Sequence, residues 1–193
     1  MCIRDSKDII NFPNFNTVFQ SDTLESYVLC EFNDPLYIVF SSGTTGKPKC
    51  ITHSIGGVLI QHAKEHLLHI NLSEKQKIFY FTTCGWMMWN WLVGSLFCRS
   101  SIVLYEGSPF YPNPEHLWEI AEKSEVCVFG TSAKYIDALS KSKVIPKKRF
   151  QLRNLRTTCS TGSPLSPDSY DYILNNIKSC LLYTSDAADD LLC

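Results

Sequence analysis

Short runs of β-branched and aromatic residues alternate along this chain with longer stretches in which apolar positions recur at helical spacing. That alternation predicts a parallel β-sheet covered by helices, an α/β fold. Strands are expected at residues 36–41, 78–82, 102–105, 126–130 and 155–160, each a near-continuous apolar run that implies two covered faces. Helices are expected at residues 57–69, 86–97, 114–122, 132–141 and 167–177. Asn113 before Pro114 and Ser166 before Pro167 mark two of the helix starts, because a capping side chain followed by proline suits the first turn, where the missing proline N–H is not needed.

Composition narrows the class of partner. The chain has 193 residues, of which 45% are hydrophobic and 19% charged, which suits one globular domain or part of a larger one. Lys and Arg number 18 against 19 Asp and Glu, so no global positive field exists to hold nucleic acid. Residues 78–98 carry no charge and are long enough to span a bilayer. Thr82, Thr83, Gly85, Asn90, Gly94 and Ser95 interrupt that stretch, and the expectation is a strand, a break and a Trp-rich helix rather than a membrane span. The nine cysteines form no C-x-x-C pair, so no metal-site spacing appears. Their odd number, with no leader-like start, suits free thiols in a reducing compartment, the cytoplasm. The basic connector KSKVIPKKRFQLRNLR, interrupted by Pro146, reads as a solvated loop.

The sharpest chemical feature is the run Phe40-Ser41-Ser42-Gly43-Thr44-Thr45-Gly46-Lys47-Pro48-Lys49. Two glycines let successive backbone N–H groups converge on an anion, hydroxyls add neutral donors, and Lys47 and Lys49 supply charge, which together make a phosphate grip. The glycine spacing and the proline after Lys47 exclude a Walker A loop. His62, His66 and His69 share one face of an expected helix; they lack the H-E-x-x-H order, and a partly buried polar face is expected there rather than a metal site. The stretch around Trp86, Met87 and Met88 reads on aromatic content as core packing. Gly130-Thr131-Ser132 follows a strand, at the edge where parallel sheets place ligands.

The loop SSGTTGKPK resembles the phosphate-binding signature of the adenylate-forming enzymes, which include the acyl-CoA synthetases. PLYIVFSSGTTGKPKCITH, GGVLIQHAKEHLLHINL, FYFTTCGWMMWNWLVGSL, VFGTSAKYIDAL and LRTTCSTGSPLSP extend the similarity, in family order, over most of residues 34–177. They look closer still to the branch of acyl-CoA synthetases that takes acetoacetate, with acetate, propionate or another short acid as the alternative. The resemblance implies part of the α/β/α layer of a large N-terminal adenylation domain, acting on small-molecule substrates in fatty-acid and ketone-body metabolism. It implies a two-step ligase that uses ATP, Mg²⁺ and coenzyme A: a carboxylate attacks the α-phosphorus of ATP, and the coenzyme A thiol then displaces AMP. On this resemblance Ser41, Ser42, Gly43, Thr44, Thr45, Gly46, Lys47 and Lys49 hold the ATP phosphates. Gly162, Ser163 and Pro164 form the turn against adenine, with Ser163 where relatives carry a glutamate. Trp86, Met87, Met88 and Thr161 line the acyl pocket, and His53 and Thr131 are further candidates, His53 being equally a structural histidine.

Family members continue into a glycine-rich Thr-Glu or Thr-Asp motif, a ribose-binding aspartate and a mobile C-terminal domain with a catalytic lysine. Residues 7–180 are therefore expected to be a fragment of the adenylation domain, inactive as a ligase when alone, while residues 1–6 and 181–193 read as non-native ends. A non-catalytic nucleotide-binding module is the alternative from another class.

Overall fold

A computed structural model describes residues 28–40 and 48–179, together with the backbone of residues 181–184. The phosphate-grip candidates Ser41, Ser42, Gly43, Thr44, Thr45, Gly46 and Lys47 lie outside the described residues. The chain divides into two compact units, Met1–Glu31 and Phe32–Cys193, and every element named below belongs to the second.

That unit begins with an antiparallel hairpin of β1 (Pro35–Phe40) and β2 (Cys50–Ser54), in which Phe40 is the register partner of Cys50. The expectation that β1 joins the parallel sheet with both faces covered is corrected here. Leu36, Ile38 and Phe40 on one side of it are 48%, 56% and 67% exposed. The connection from Phe40 to Cys50 is shorter than the roughly dozen residues that a parallel crossover requires, so the returning strand runs antiparallel. β2 was not expected, because CITHS has no apolar alternation to announce it.

Ser54 caps the next helix, its Oγ accepting from Gly57 N–H at 3.2 Å. This helix, α1 (Ile55–Ala63), continues as a π-helical segment, Lys64–His69. Five parallel strands follow: β3 (Lys77–Tyr80), β4 (Ser101–Val103), β5 (Val128–Ser132), β6 (Thr157–Thr161) and β7 (Leu181–Thr184), ordered β4-β3-β5-β6-β7. Between them run α2 (Met87–Gly94, closing in a 3₁₀ turn Ser95–Cys98), α3 (His116–Lys123), α4 (Ala133–Lys141) and α5 (Pro167–Tyr172, continuing as a π segment Ile173–Ile177). Thus the uncharged stretch of residues 78–98 divides into a strand, a turn and a helix, and no helix of the described residues is long and apolar enough to cross a membrane. Ser132 caps α4 and Ser166 caps α5, each accepting a backbone N–H three residues on. Asn113 instead accepts from Glu115 N–H in a turn ahead of α3, so that helix starts at His116 and not at Pro114. β7, which was left out of the expected strands, pairs in parallel register with β6.

The strand order places the helices. From β3 the chain moves to one side to form β4, then passes back over β3 to form β5 and continues in that direction to β6 and β7. Right-handed crossovers travelling in opposite directions along a sheet must cover opposite faces. Strand alternation separates the core in the same way. Phe79 and Phe129 join Leu117, Trp118, Tyr135, Ile136, Leu139 and Ile173, from α3, α4 and the end of α5, on one face. Ile78, Tyr80, Val128 and Cys159 join Ile70, Leu72, Met88, Trp91 and Leu92 on the other. The result is the expected α/β/α layering. On the first face Trp118 is fully buried and stacks on Phe129, with ring centroids 4.1 Å apart.

The basic connector is less free than its composition suggests. Arg149 pairs with Glu115, and Arg156 donates to the Asn71 carbonyl at 3.1 Å. The Glu122 carboxylate accepts the backbone N–H groups of Gln151 and Leu152, which fixes the loop that leads into β6.

His66 does not join a histidine ligand cluster. It is fully buried, its Nε2 lies 2.9 Å from the Trp91 carbonyl, and its ring packs on the Trp91 indole at 4.3 Å. His69 turns to Glu65 at 3.1 Å. The Trp91 carbonyl is available because α2 tightens at its end, where Ser95 N–H bonds Leu92 and Val93 instead. Since a carbonyl only accepts, Nε2 carries the imidazole proton, and Nδ1 is left buried with no partner. Protonating Nδ1 would put an unpartnered charge in the core.

Two outcomes follow from this packing. Replacing Trp118 by Ala is expected to cost about 3–5 kcal/mol in equilibrium urea unfolding, and a loss below about 1 kcal/mol would contradict the stacked core described above. Burial, chiefly, lowers the His66 pKa from about 6.5 to about 4, with His62 acting in the same direction against the hydrogen bond to Trp91 and the charge of Glu65. The unfolded chain therefore binds this proton more readily, so the His66 contribution is complete above pH 6.5 and is lost as the pH falls toward 4. Between pH 7 and pH 4 the unaltered chain should lose about 2–3 kcal/mol more stability than the His66→Gln variant, and equal losses would refute the assignment.

Candidate functional site

In doubly wound sheets the crevice for ligands opens at the carboxyl ends of the strands, where the direction of winding reverses. Here the reversal falls between β3 and β5, which are hydrogen-bonded neighbours with Tyr80 opposite Gly130. Beyond Tyr80 the chain makes one further sheet bond, Phe81 N–H to the Gly130 carbonyl at 2.9 Å, and then leaves in the turn that precedes α2.

Several of the residues singled out in the sequence lie at or follow the carboxyl ends of these strands. Trp86 and Met87 stand at the start of α2 and are exposed, Trp86 by 54%, although both are large and apolar. Met88, one position on, turns inward and belongs to the core with Trp91 and Leu92. Thr131 lies near the end of β5, fully buried, and Tyr80 Oη donates to its carbonyl at 3.3 Å. On the neighbouring strand Thr161 is the register partner of Ser132. Thr161 leads into Gly162, whose φ of 90° is a backbone state that a side chain disfavours, and into the half-buried Ser163 and the exposed Pro164. Among the described residues nothing stands within 4 Å of where a Gly162 Cβ would be, so those residues leave the backbone of this turn open to a flat group lying against it.

His53 and Lys49 are placed apart from these strand ends in the topology, on the hairpin side. His53 is half-buried and faces Tyr37 across β1 and β2, with ring centroids 5.5 Å apart. Lys49 is exposed beside the segment that carries the rest of the phosphate grip.

Two residues at the edge escaped the sequence reading. Ser160 is the register partner of Thr131, and the Oγ of Ser160 and the Oγ1 of Thr131 are both buried with no hydrogen-bond partner. The signal was the pairing of two hydroxyl-bearing strands, TTCST and VFGTS, which only the register reveals. Tyr80 was read as part of an apolar strand, yet its hydroxyl holds the end of β5. Gly130 permits this: a Cβ there would lie 2.0 Å from Tyr80 Cδ2.

The strand order and the helices on both faces define an open, doubly wound α/β domain whose winding reverses between β3 and β5. The chain belongs to the AMP-binding enzyme family, whose profile matches residues 8–181. It is 53% identical over 169 residues to the acetoacetyl-coenzyme A synthetase of Rhizobium meliloti (strain 1021), a match covering 88% of this chain and 26% of that protein. It is 44% identical over 192 residues to the acetoacetyl-CoA synthetase of Gallus gallus, covering 94% of this chain and 28% of that protein. Among solved structures, the acetoacetyl-CoA synthetase from Streptomyces lividans superposes with a TM-score of 0.80 at 37% identity, over 89% of this chain and 27% of the other. The chain thus spans about a quarter of the length of the curated relatives it matches.

The contact at Gly130 gives a direct check. Gly130→Ala must displace the buried Tyr80 ring and with it the bond to the Thr131 carbonyl, so a loss of about 1–3 kcal/mol in urea unfolding is expected, and unchanged stability would contradict the close approach.

Proposed function

We propose that this chain supplies nucleotide- and acid-binding elements of an ATP-dependent ligase that converts acetoacetate to acetoacetyl-CoA through an acyl-adenylate. The observation that carries this reading is the order in which these residues follow the strands, Trp86 and Met87 after β3, Thr131 near the end of β5, and Thr161 with Gly162 at the end of β6, on either side of the point where the winding reverses. Family membership supports the nucleotide, and the relatives named as acetoacetyl-CoA synthetases support the acid.

In the first half-reaction a carboxylate oxygen attacks the α-phosphorus of ATP, the bond to the bridging oxygen breaks, and pyrophosphate departs with the electron pair. Negative charge accumulates on that leaving group. Ser41, Ser42, Gly43, Thr44, Thr45, Gly46, Lys47 and Lys49 meet it with backbone N–H groups, hydroxyls and ammonium charge. The turn Gly162, Ser163 and Pro164 lies against adenine. Trp86 and Met87, with Thr161, enclose the short acyl chain, the buried Thr131 backs the slot from the end of β5, and the apolar side of that slot excludes water from a mixed anhydride that water would hydrolyse. In the second half-reaction the coenzyme A sulfur attacks the acyl carbon and AMP leaves. Among the described residues no group of three or more His, Cys, Asp or Glu could hold a metal ion, and a Mg²⁺ ion accompanying ATP would be held mainly by the phosphates themselves, where it would neutralise charge. The cysteines Cys30, Cys50, Cys84, Cys98, Cys127 and Cys159 are free thiols, which supports a cytoplasmic setting.

An acid panel tests the reading. The full-length polypeptide carrying this sequence should form acetoacetyl-CoA with AMP and pyrophosphate, with kcat/KM for acetate or propionate at least about tenfold lower. Equal or better turnover of the shorter acids would overturn acetoacetate as the substrate.

A further inference from the structure

Behind the strand ends runs a line of buried side chains that the proposed ligand contacts do not use. It starts at His66, in the π-helical half of the first helix, whose Nε2–H donates to the Trp91 carbonyl at 2.9 Å. The His66 ring lies 4.3 Å from the Trp91 indole, which meets the Tyr80 ring edge to face at 5.8 Å. Tyr80 in turn donates to the carbonyl of Thr131 at 3.3 Å. Trp91 is part of α2, the helix that begins with Met87 directly after Trp86, and shares its buried side with Met88.

A leucine would fill the His66 site with less penalty, since a buried imidazole with an unpartnered Nδ1 is costly. What leucine lacks is a donor. The Trp91 carbonyl, released by the tightening of α2 at Ser95, would be orphaned in the core without one. The ring is also clamped from its own helix: His62 lies edge-on at 6.0 Å and abuts Gly94, where a Cβ would come within 2.2 Å of His62 Nδ1. The π-helical turn at Lys64–His69 is the local irregularity that carries His66, and single-turn π segments tend to mark functional positions.

We infer that His66 is a positioning residue for the acid pocket. It fixes α2 through Trp91, and hence Trp86 and Met87 at the helix start, and it fixes the end of β5 through Tyr80, and hence Thr131. The inference rests on the reading of Trp86 and Met87 as acid contacts, with Thr131 backing their slot. The hydrogen bonds of this line fall on α2 and β5, the elements that carry Trp86, Met87 and Thr131, whereas the adenine turn at Gly162 follows β6, so the effect is expected on the acid more than on adenine.

The test is steady-state kinetics of the full-length polypeptide with acid and ATP varied separately. His66→Leu should raise KM for the acid about tenfold and change KM for ATP less than about twofold, while His66→Gln, which restores a donor to Trp91, returns the acid KM to within about threefold of the unaltered enzyme. Tyr80→Phe removes only the hydroxyl at the far end of the line and should raise the acid KM about fivefold. If His66→Leu does not fold, the Gln and Tyr80→Phe variants carry the test. A parallel rise in both KM values, a Gln variant no better than Leu, or an unchanged acid KM in Tyr80→Phe would overturn the inference. With whichever acid the unaltered polypeptide accepts, the same split is required. Failure of acetoacetate alone therefore overturns only the earlier reading, and turnover of no acid overturns both.

Discussion

The parallel pairing of β3 with β5 is the constraint on which the rest of this structure depends. These strands are not sequential: the chain first lays β4 on the far side of β3, then returns over the sheet to set Ile78 against Val128, Phe79 against Phe129 and Tyr80 against Gly130. That return sends α2 and α3 to opposite faces, because right-handed crossovers in opposite directions cannot share one. It also splits the core by strand alternation, giving Trp118 a Phe129 ring to stack on and Trp91 a Tyr80 ring to meet. The same reversal leaves an opening at the carboxyl edge where no crossover passes. Strand order alone thus singles out this edge as the candidate site, before any side chain is considered.

Much of this order was legible in the amino-acid pattern. The runs IFY and VFG are short, apolar and bounded by turn residues, and Ser166 caps its helix through the hydroxyl expected to do so. What was not legible depends on partners distant in sequence. PLYIVF reads as a doubly covered strand, and only its proximity to Cys50–Ser54 makes it one arm of a hairpin with an open side. Asn113 binds a backbone N–H as a capping residue does, but in a turn one step ahead of the helix, which local spacing cannot separate from a cap. The histidine spacing suggested a shared face, whereas the π-helical turn gives His66 and His69 different partners, one a backbone carbonyl in the core and one a surface carboxylate.

The candidate site shows the same division. Trp86 and Met87 drew attention as an acyl slot or as core, and the structure separates them by burial, with both of them exposed at the start of α2 and Met88 in the core. Thr131 was visible because it ends a strand, while Ser160 and Tyr80 became visible only through register and a bond across the sheet. A glycine accounts for the rest of that geometry: without the bare backbone at Gly130, Tyr80 could not lie flat beside β5 and hold its end.

On the proposed reading, nucleotide and acid meet at this edge to form an acyl-adenylate. The most direct measurement is exchange of labelled pyrophosphate into ATP by the full-length polypeptide, with acetoacetate present or omitted and no coenzyme A. The account predicts exchange that requires acetoacetate and proceeds without the thiol, because the first half-reaction is reversible and complete in itself. Exchange that is absent with acetoacetate, or that needs coenzyme A, would contradict it.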